Sequence, residues 1–387
     1  MLTSFIQKWL TAGILATALC CGPSASAGMS ANSPIPEVNT QQKNAVRRTE
    51  PVYEVQAGMA GEIFPVFANY ASFVPVKDRR WGTVAVTISN ASDSALHNRV
   101  TVQVPGWSDQ EIEFADLAAG EVKTLLFAPT FLPRLYENHE IAAATAVVKV
   151  TDAGGRQVYE TTAPLRLRAA DDMFWGDKFK YSSFIASWVT PHNGAVESVL
   201  SRAKELMPGR RLPGYETWKS PDEQARTTAI EAKAIYRALQ QKGVSYVKSS
   251  STFGTTANAA VSERIRMPFE SLRDSSANCI DGAVMFASLF ENLGMDPVIV
   301  LVPGHAYVGV RIAENSDKFY YLETSLVGRN ATFESAVKAA NEGLGKWPAD
   351  KVTRISIDDA RRAGIYPMPL DPMSEHIKKS TREAGLH

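Results

Sequence analysis

Three residue types that together perform nucleophilic acyl chemistry follow one another along the C-terminal half of this 387-residue chain: Cys279, His305 and Glu323. A thiol attacks a carbonyl efficiently when a neighbouring base manages its proton, and that base works best when a third group fixes its orientation. In this arrangement Cys279 attacks, His305 takes and returns the proton, and Glu323 orients the imidazole. The surroundings of Cys279 favour such a use. It heads the segment Asn278 to Gly294, where Ile280, Ala283, Val284, Ala287, Phe290 and Leu293 recur near helical spacing and predict one buried stripe. Asn278 or Ser276 suits the cap, and Gly294 suits the stop. Cys279 then sits in the first turn, where unpaired backbone N–H groups and the helix dipole favour a thiolate. The same N–H groups can stabilise an oxyanion on a bound carbonyl.

Strands must carry the other two residues. Pro297 to Val302 is a continuous β-branched run, Ala306 to Ile312 alternates, and Lys318 to Glu323 is aromatic and strand-like. The turn Glu314-Asn315-Ser316-Asp317 predicts a hairpin centred near Asn315. In that register Tyr307 faces Glu323 and His305 faces Ser325, so all four residues share one side of the sheet. His305 and Glu323 become diagonal neighbours about 7–8 Å apart at Cβ, within reach of a carboxylate–imidazole hydrogen bond.

The order cysteine, histidine, acidic residue, on a helix start, a strand start and a strand end, resembles the transglutaminase-like superfamily of the papain-like cysteine fold. The resemblance covers roughly Trp188 to Pro369. It is carried by Asn278-Cys279 with its helix, by Gly304-His305-Ala306-Tyr307, and by Tyr321-Leu322-Glu323-Thr324. It implies a catalytic Cys279, His305 and Glu323, with Tyr307 filling the aromatic place after the His-Ala pair as a substrate-binding residue. The family commonly has Asp where this chain has Glu323. Ile265-Arg266-Met267-Pro268 and Ile365-Tyr366-Pro367-Met368-Pro369 look like a bacterial exported subgroup of that superfamily.

Other chemistries find little support. His139-Glu140 lacks the second histidine of a zinc helix, and Gly343-Leu344-Gly345-Lys346 lacks the first glycine and the Ser/Thr of a phosphate loop. No Gly-x-Ser-x-Gly occurs. No metal or cofactor is expected. Asp274 and Asp281 near Cys279 have no assigned role, and His97, His139 and His192 read as structural or exposed. Lys and Arg number 41, as do Asp and Glu, so the chain carries no net charge and no run of one sign. That balance argues against nucleic acid as a partner.

Residues 1–27 read as a signal peptide: Lys8 is the positive end, Trp9 to Cys21 the short apolar stretch, and Ala25-Ser26-Ala27 the cleavage site. A bulky Leu19 before Cys20 argues against lipidation. No later segment is long and apolar enough to span a bilayer. Of three cysteines, only Cys279 outlasts the leader, so an internal disulfide is excluded and the lone thiol requires a use or deep burial. Residues 28–50 form a flexible leader rich in Ser, Asn, Pro and Gln, Ser249 to Asn258 form a polar loop, and 371–387 form a polar tail.

From Pro51 to Arg168 the pattern is that of strands. Thr83 to Ile88 and Arg99 to Val104 alternate, and Thr145 to Val150 and Val158 to Leu167 read as a closing hairpin around Asp152-Ala153-Gly154-Gly155. The segment Asn90 to Phe127 resembles immunoglobulin-like accessory domains of exported proteins. Helices are predicted over Ala195 to Met207, Asp222 to Lys242 with Gly243 as the stop, and Glu334 to Glu342. The fold class expected is α+β: an N-terminal immunoglobulin-like β-sandwich over 51–168, then a transglutaminase-like (papain-like) domain over 181–370. The function expected is an exported, periplasmic cysteine enzyme acting on amide bonds of proteins or peptides. Whether water or an amine accepts the acyl group, making it a peptidase or a transglutaminase, stays open. The alternative is a catalytically silent binding or scaffold protein on the same fold. The β-sandwich would engage a cell-envelope partner.

Overall fold

The computed structural model describes residues 50–74, 83–248, 262–329 and 331–369. The expected signal peptide with Cys20 and Cys21, nearly all of the flexible leader, the polar loop at Ser249 to Asn258 and the C-terminal tail lie outside the described residues. The chain is mixed α+β, with several sheets and helices. It divides into two compact units, one built on residues up to Asp172 and the other running from Met173 to Pro367. Among the described residues, no helix is long and apolar enough to cross a membrane.

Two sheets dominate the N-terminal unit. Val52–Ala57, Val84–Ser89 and Val122–Phe127 form a three-stranded sheet. Five strands form the other, in the spatial order Glu62–Ile63, Gln157–Leu167, Ala142–Asp152, Leu96–Gln103, Glu111–Leu117. Alternation explains which faces are covered: Val84, Val86 and Ile88 are buried, as are Val100, Val102, Ala146, Val148 and Val150. The long Ala142–Asp152 and Gln157–Leu167 hairpin closes where Asp152 Oδ1 accepts the N–H groups of Gly154 and Arg156, at 3.0 and 2.9 Å. Two elements depart from the all-strand expectation: Pro133–Tyr136 is a single helical turn, and Pro65–Phe73 is a longer helix. Pro65 pre-sets its first turn, and seven successive residues from Pro65 to Tyr70 and Ala71 are buried. A segment covered on every side has neither the two-residue nor the 3.6-residue signature, so its sequence carries no period to read.

The C-terminal unit is organised around a four-stranded antiparallel sheet in the order Phe319–Leu322, His305–Arg311, Pro297–Val302, Thr353–Ser356. The helix Cys279–Asn292 packs on its two central strands and, on its other side, meets the helices Gly194–Glu205 and Pro268–Arg273. This helix is buried continuously from Ile280 to Phe290, not along the single stripe that its apolar spacing suggested. Asp281 and Ser288, polar positions off that stripe, are fully covered. It is the core helix of the unit, enclosed between a sheet and two helices. A second long helix, Pro221–Lys242, begins with a Ser220–Glu223 capping box and ends at Gly243, whose φ of 82° is the left-handed stop that glycine accepts without strain.

Candidate active site

Cys279 is the first residue of the core helix, and the local sequence explains why the helix begins there. Asn278 accepts the N–H of Asp281 on its side-chain oxygen at 2.8 Å, and Asp281 accepts the N–H of Asn278 on Oδ2 at 3.0 Å. This reciprocal pair satisfies two donors that a bare helix end would leave unpaired. The other oxygen of Asp281 accepts the N–H of Arg266 at 2.9 Å, so the same carboxylate ties the helix start to the preceding chain. Asp281 is fully buried, and burial pushes its carboxyl above the usual range against those hydrogen bonds. The Arg266 guanidinium also donates to the Ser276 carbonyl and hydroxyl, at 3.2 and 2.8 Å. Asp281 thus positions Cys279 without touching its sulfur. Its signal was present as an Asn-x-x-Asp spacing, a shorter form of the capping-box pattern.

His305 and Glu323 come from adjacent strands. His305 opens its strand straight after a two-residue turn, because Val302 pairs with His305 across Pro303-Gly304. Pro303 fixes the first turn residue, and Gly304 takes the second at a φ of 75°. The neighbouring strand pairs Val308 with Leu322 through Arg311 with Phe319, the register expected from the turn at Asn315. Carried one pair further, it sets Tyr307 across from Glu323 and leaves His305 on the diagonal. The His305 ring bridges that diagonal: Nε2 lies 2.6 Å from Oε2 of Glu323. Oε1 of Glu323 accepts the N–H of Ser325 at 3.0 Å. Cys279 is the largest cause of the rise in the His305 pKa, which makes sulfur and imidazole close neighbours. The structure therefore brings the three side chains together in the order sulfur, imidazole, carboxylate, a line hydrogen-bonded at its carboxylate end.

The electrostatics follow from that line. Hydrogen bonds to Cys279 and then to Glu323 raise His305 to about 10, against the opposing effect of burial. Burial alone would raise Glu323, which is 8% exposed, but hydrogen bonds from His305 and Ser325 outweigh it and hold the carboxyl below its ordinary value. Cys279 itself is partly exposed and unpaired with any other cysteine, and 28% of the His305 side chain is open to solvent. The site is reachable from outside while its carboxylate is not.

Tyr307 is 5% exposed and belongs to a buried cluster with Val298, Val300, Val302 and Ala340. Its ring meets the imidazole of His305 edge-on, with centroids 4.6 Å apart. A further contact joins the carboxylate end of the line to the helix that Cys279 opens. Thr324 follows Glu323 directly, donates to the Cys279 carbonyl at 3.4 Å, and presses on Gly282, where a Cβ would stand 2.5 Å from its hydroxyl. Elsewhere, His97 bonds Asp116 at 2.7 Å on the exposed face of the N-terminal unit. Asp274 pairs with Arg273 at the surface. Among the described residues, no cluster of three or more His, Cys, Asp or Glu side chains is disposed to hold a metal ion. The sequence matches no model of a known protein family, and no curated protein matches it.

Proposed function

We propose that this protein is an exported cysteine enzyme that acts on amide bonds of proteins or peptides through Cys279, His305 and Glu323. In this reading the unit from Met173 to Pro367 is a transglutaminase-like domain of the papain-like fold, and the N-terminal unit is an immunoglobulin-like β-sandwich that engages a cell-envelope partner. Export to a bacterial periplasm accords with Lys8, the apolar stretch Trp9 to Cys21 and the Ala25-Ser26-Ala27 triplet. The observation that carries the catalytic reading is the imidazole of His305, hydrogen-bonded to Glu323 and close enough to Cys279 for that residue to be the largest cause of its raised pKa.

The chemistry follows from the charge state of His305. An imidazole held near 10 carries its proton at neutral pH, and in this reading the attacking form of the pair is the thiolate beside that imidazolium. The sulfur of Cys279 forms a bond to the carbonyl carbon, and the carbonyl electrons move to oxygen. When the tetrahedral species collapses, the carbon–nitrogen bond breaks and the His305 proton passes to the departing amine. A thioester and a neutral imidazole remain. His305 then takes a proton from water or from an incoming amine, whose oxygen or nitrogen bonds the acyl carbon. The carbon–sulfur bond breaks, and the thiolate and imidazolium are restored. Water gives a carboxylic acid, an amine gives a new amide, and nothing else is consumed.

The first turn supports the oxyanion. The N–H of Asp281 goes to the Asn278 side chain and that of Gly282 to the Asn278 carbonyl. Those of Cys279 and Ile280 precede the helix's own bonding and point towards the nucleophile end. Tyr307, packed beneath His305, acts in this reading by fixing the plane of the imidazole. An activated peptidyl nitrophenyl ester tests the proposal. The full chain should release a burst of about one equivalent of nitrophenolate, and Cys279→Ala should release none. Equal release from both proteins would defeat the nucleophilic assignment.

A further inference from the structure

Two features beside Cys279 take no part in the triad. Ser245–Tyr246 pairs in parallel with Ser276–Ala277, which sets Tyr246 against Ala277, two residues before Cys279. The pairing continues as Val247 donates its N–H to the Ala277 carbonyl at 3.0 Å. Tyr246 is 39% exposed and Val247 44%, so this strand lays an open, partly apolar edge beside the nucleophile. The second feature is the turn Thr324–Arg329, which begins one residue after Glu323. It packs back on the same strand: a Cβ on Gly328 would stand 2.7 Å from the Cα of Ser245. Arg329, the next residue, is exposed.

The charges around Tyr246 are of unequal availability. Burial raises its phenol, Cys279 and Glu323 push the same way, and Arg329 opposes them. One ring is therefore within electrostatic reach of the nucleophile, the orienting carboxylate and an exposed guanidinium. Glu323 is committed to His305 and Ser325. Asp281, also felt by Tyr246, is buried and committed to backbone N–H groups. Lys248, two residues past Tyr246, is exposed and shares the sign of Arg329. Among the described residues, Asp274, just before the Ser275 carbonyl that accepts from Ser245, is exposed but paired with Arg273, and the other exposed charges at this edge, Arg329 and Lys248, are positive.

We propose that the Cys279 site selects acyl donors bearing a carboxylate close to the scissile carbonyl, with Arg329 receiving that carboxylate and the exposed ring of Tyr246 forming the wall between guanidinium and sulfur. This substrate class, an acidic peptide, rests on the nucleophilic reading of Cys279. An exposed guanidinium suits the task because its planar donors match a carboxylate in two-point geometry.

Alkylation of the full chain by two reagents separates the two ideas. Iodoacetamide and iodoacetate each form a carbon–sulfur bond with loss of iodide, and they differ by one negative charge. The measured quantity is the iodoacetate-to-iodoacetamide rate ratio at Cys279, set against that of N-acetylcysteine amide. The ratio should exceed that of the free thiol, fall about threefold in Arg329→Gln and about tenfold in Arg329→Glu, and be largely kept in Arg329→Lys. It should also shrink in high salt. A ratio indifferent to both Arg329→Gln and Arg329→Glu, with iodoacetamide still reacting faster than with the free thiol, overturns the acidic-substrate proposal and leaves the nucleophile standing. Iodoacetamide reacting no faster than with the free thiol overturns both.

Discussion

Thr324 is packed so closely on Gly282 that its hydroxyl lies 2.5 Å from the place a Cβ on that glycine would occupy. Thr324 follows Glu323 in sequence and Gly282 lies three residues past Cys279 in the helix Cys279–Asn292, so this contact fixes the distance between the carboxylate and the cysteine. Only a residue without a side chain permits it. Gly282→Ala should separate the two elements, cost about 1–3 kcal/mol of stability by overpacking, and slow alkylation of Cys279 severalfold. Thermal unfolding and iodoacetamide kinetics read the two effects. Adding Thr324→Ala removes the nearest contacting atom, the hydroxyl, and should return part of both losses. A Gly282→Ala protein with unchanged stability and unchanged thiol reactivity would show that the contact is slack.

Asp281 receives two backbone N–H groups, one on each oxygen. Asn offers only one acceptor there and turns an amide N–H₂ towards the second donor. Asp281→Asn should therefore destabilise the protein by about 1–3 kcal/mol, the cost of leaving a buried group unpaired. It should also blunt Cys279 reactivity, because the helix start loses its tether to Arg266. Denaturant unfolding paired with labelling rates checks this. Full retention of both would remove Asp281 from the positioning machinery.

The raised pKa of His305 fixes the sign of a pH effect. Its folded value, about 10, lies above the value of about 6.5 expected in the unfolded chain. The folded state holds the proton more tightly, so this group's contribution to stability is complete below about pH 6.5 and is lost as the pH rises towards about 10. The stability advantage of the parent protein over His305→Gln should shrink across that window. Amide-bond turnover should fall on the alkaline side near 10 and not near 6.5. Glu323→Gln removes the second-largest cause of the shift, and should move that alkaline limb downwards by about one unit or more.

Tyr307 is held between His305 and the helix Phe333–Leu344, where a Cβ on Gly343 would stand 2.1 Å from the phenol oxygen. Gly343→Ala should destabilise the unit, and Tyr307→Phe should relieve much of that loss by removing the oxygen. Tyr307→Ala, which empties the space beneath the imidazole, should cost about 3–5 kcal/mol. A double-mutant cycle measures the first pair, with an interaction energy of about 0.5–3 kcal/mol expected for residues in direct contact. A coupling of zero would mean that the phenol oxygen does not meet Gly343.

The meeting of Cys279, His305 and Glu323 was legible because each of the three is announced by a local device. Asn278 caps the helix, Pro303-Gly304 turns the chain just before His305, and Asn315, at a φ of 58°, sits at the bend that sets the strand register. A two-residue side-chain period then decides which residues share a face, and no tertiary knowledge is required. Asp281 was harder, since its role depends on a second donor from Arg266, fifteen positions away. Tyr246 had no local signal at all. Its place beside Cys279 depends on a parallel pairing with a strand some thirty residues later, and parallel pairs leave no turn to betray them. The helix Pro65–Phe73 was missed for the opposite reason, because unbroken burial erases periodicity. Mixed α and β content could be read from patterns, whereas the enclosure of the core helix on all sides could not.

The most direct measurement is the second-order rate of iodoacetamide alkylation at Cys279 near neutral pH, in the full chain and in His305→Ala, beside a free cysteine derivative. A thiol held against an imidazolium should react at least about tenfold faster than the free derivative, and His305→Ala should lose that excess. A parent protein that reacts no faster than the free thiol, or one whose rate ignores His305, contradicts the account.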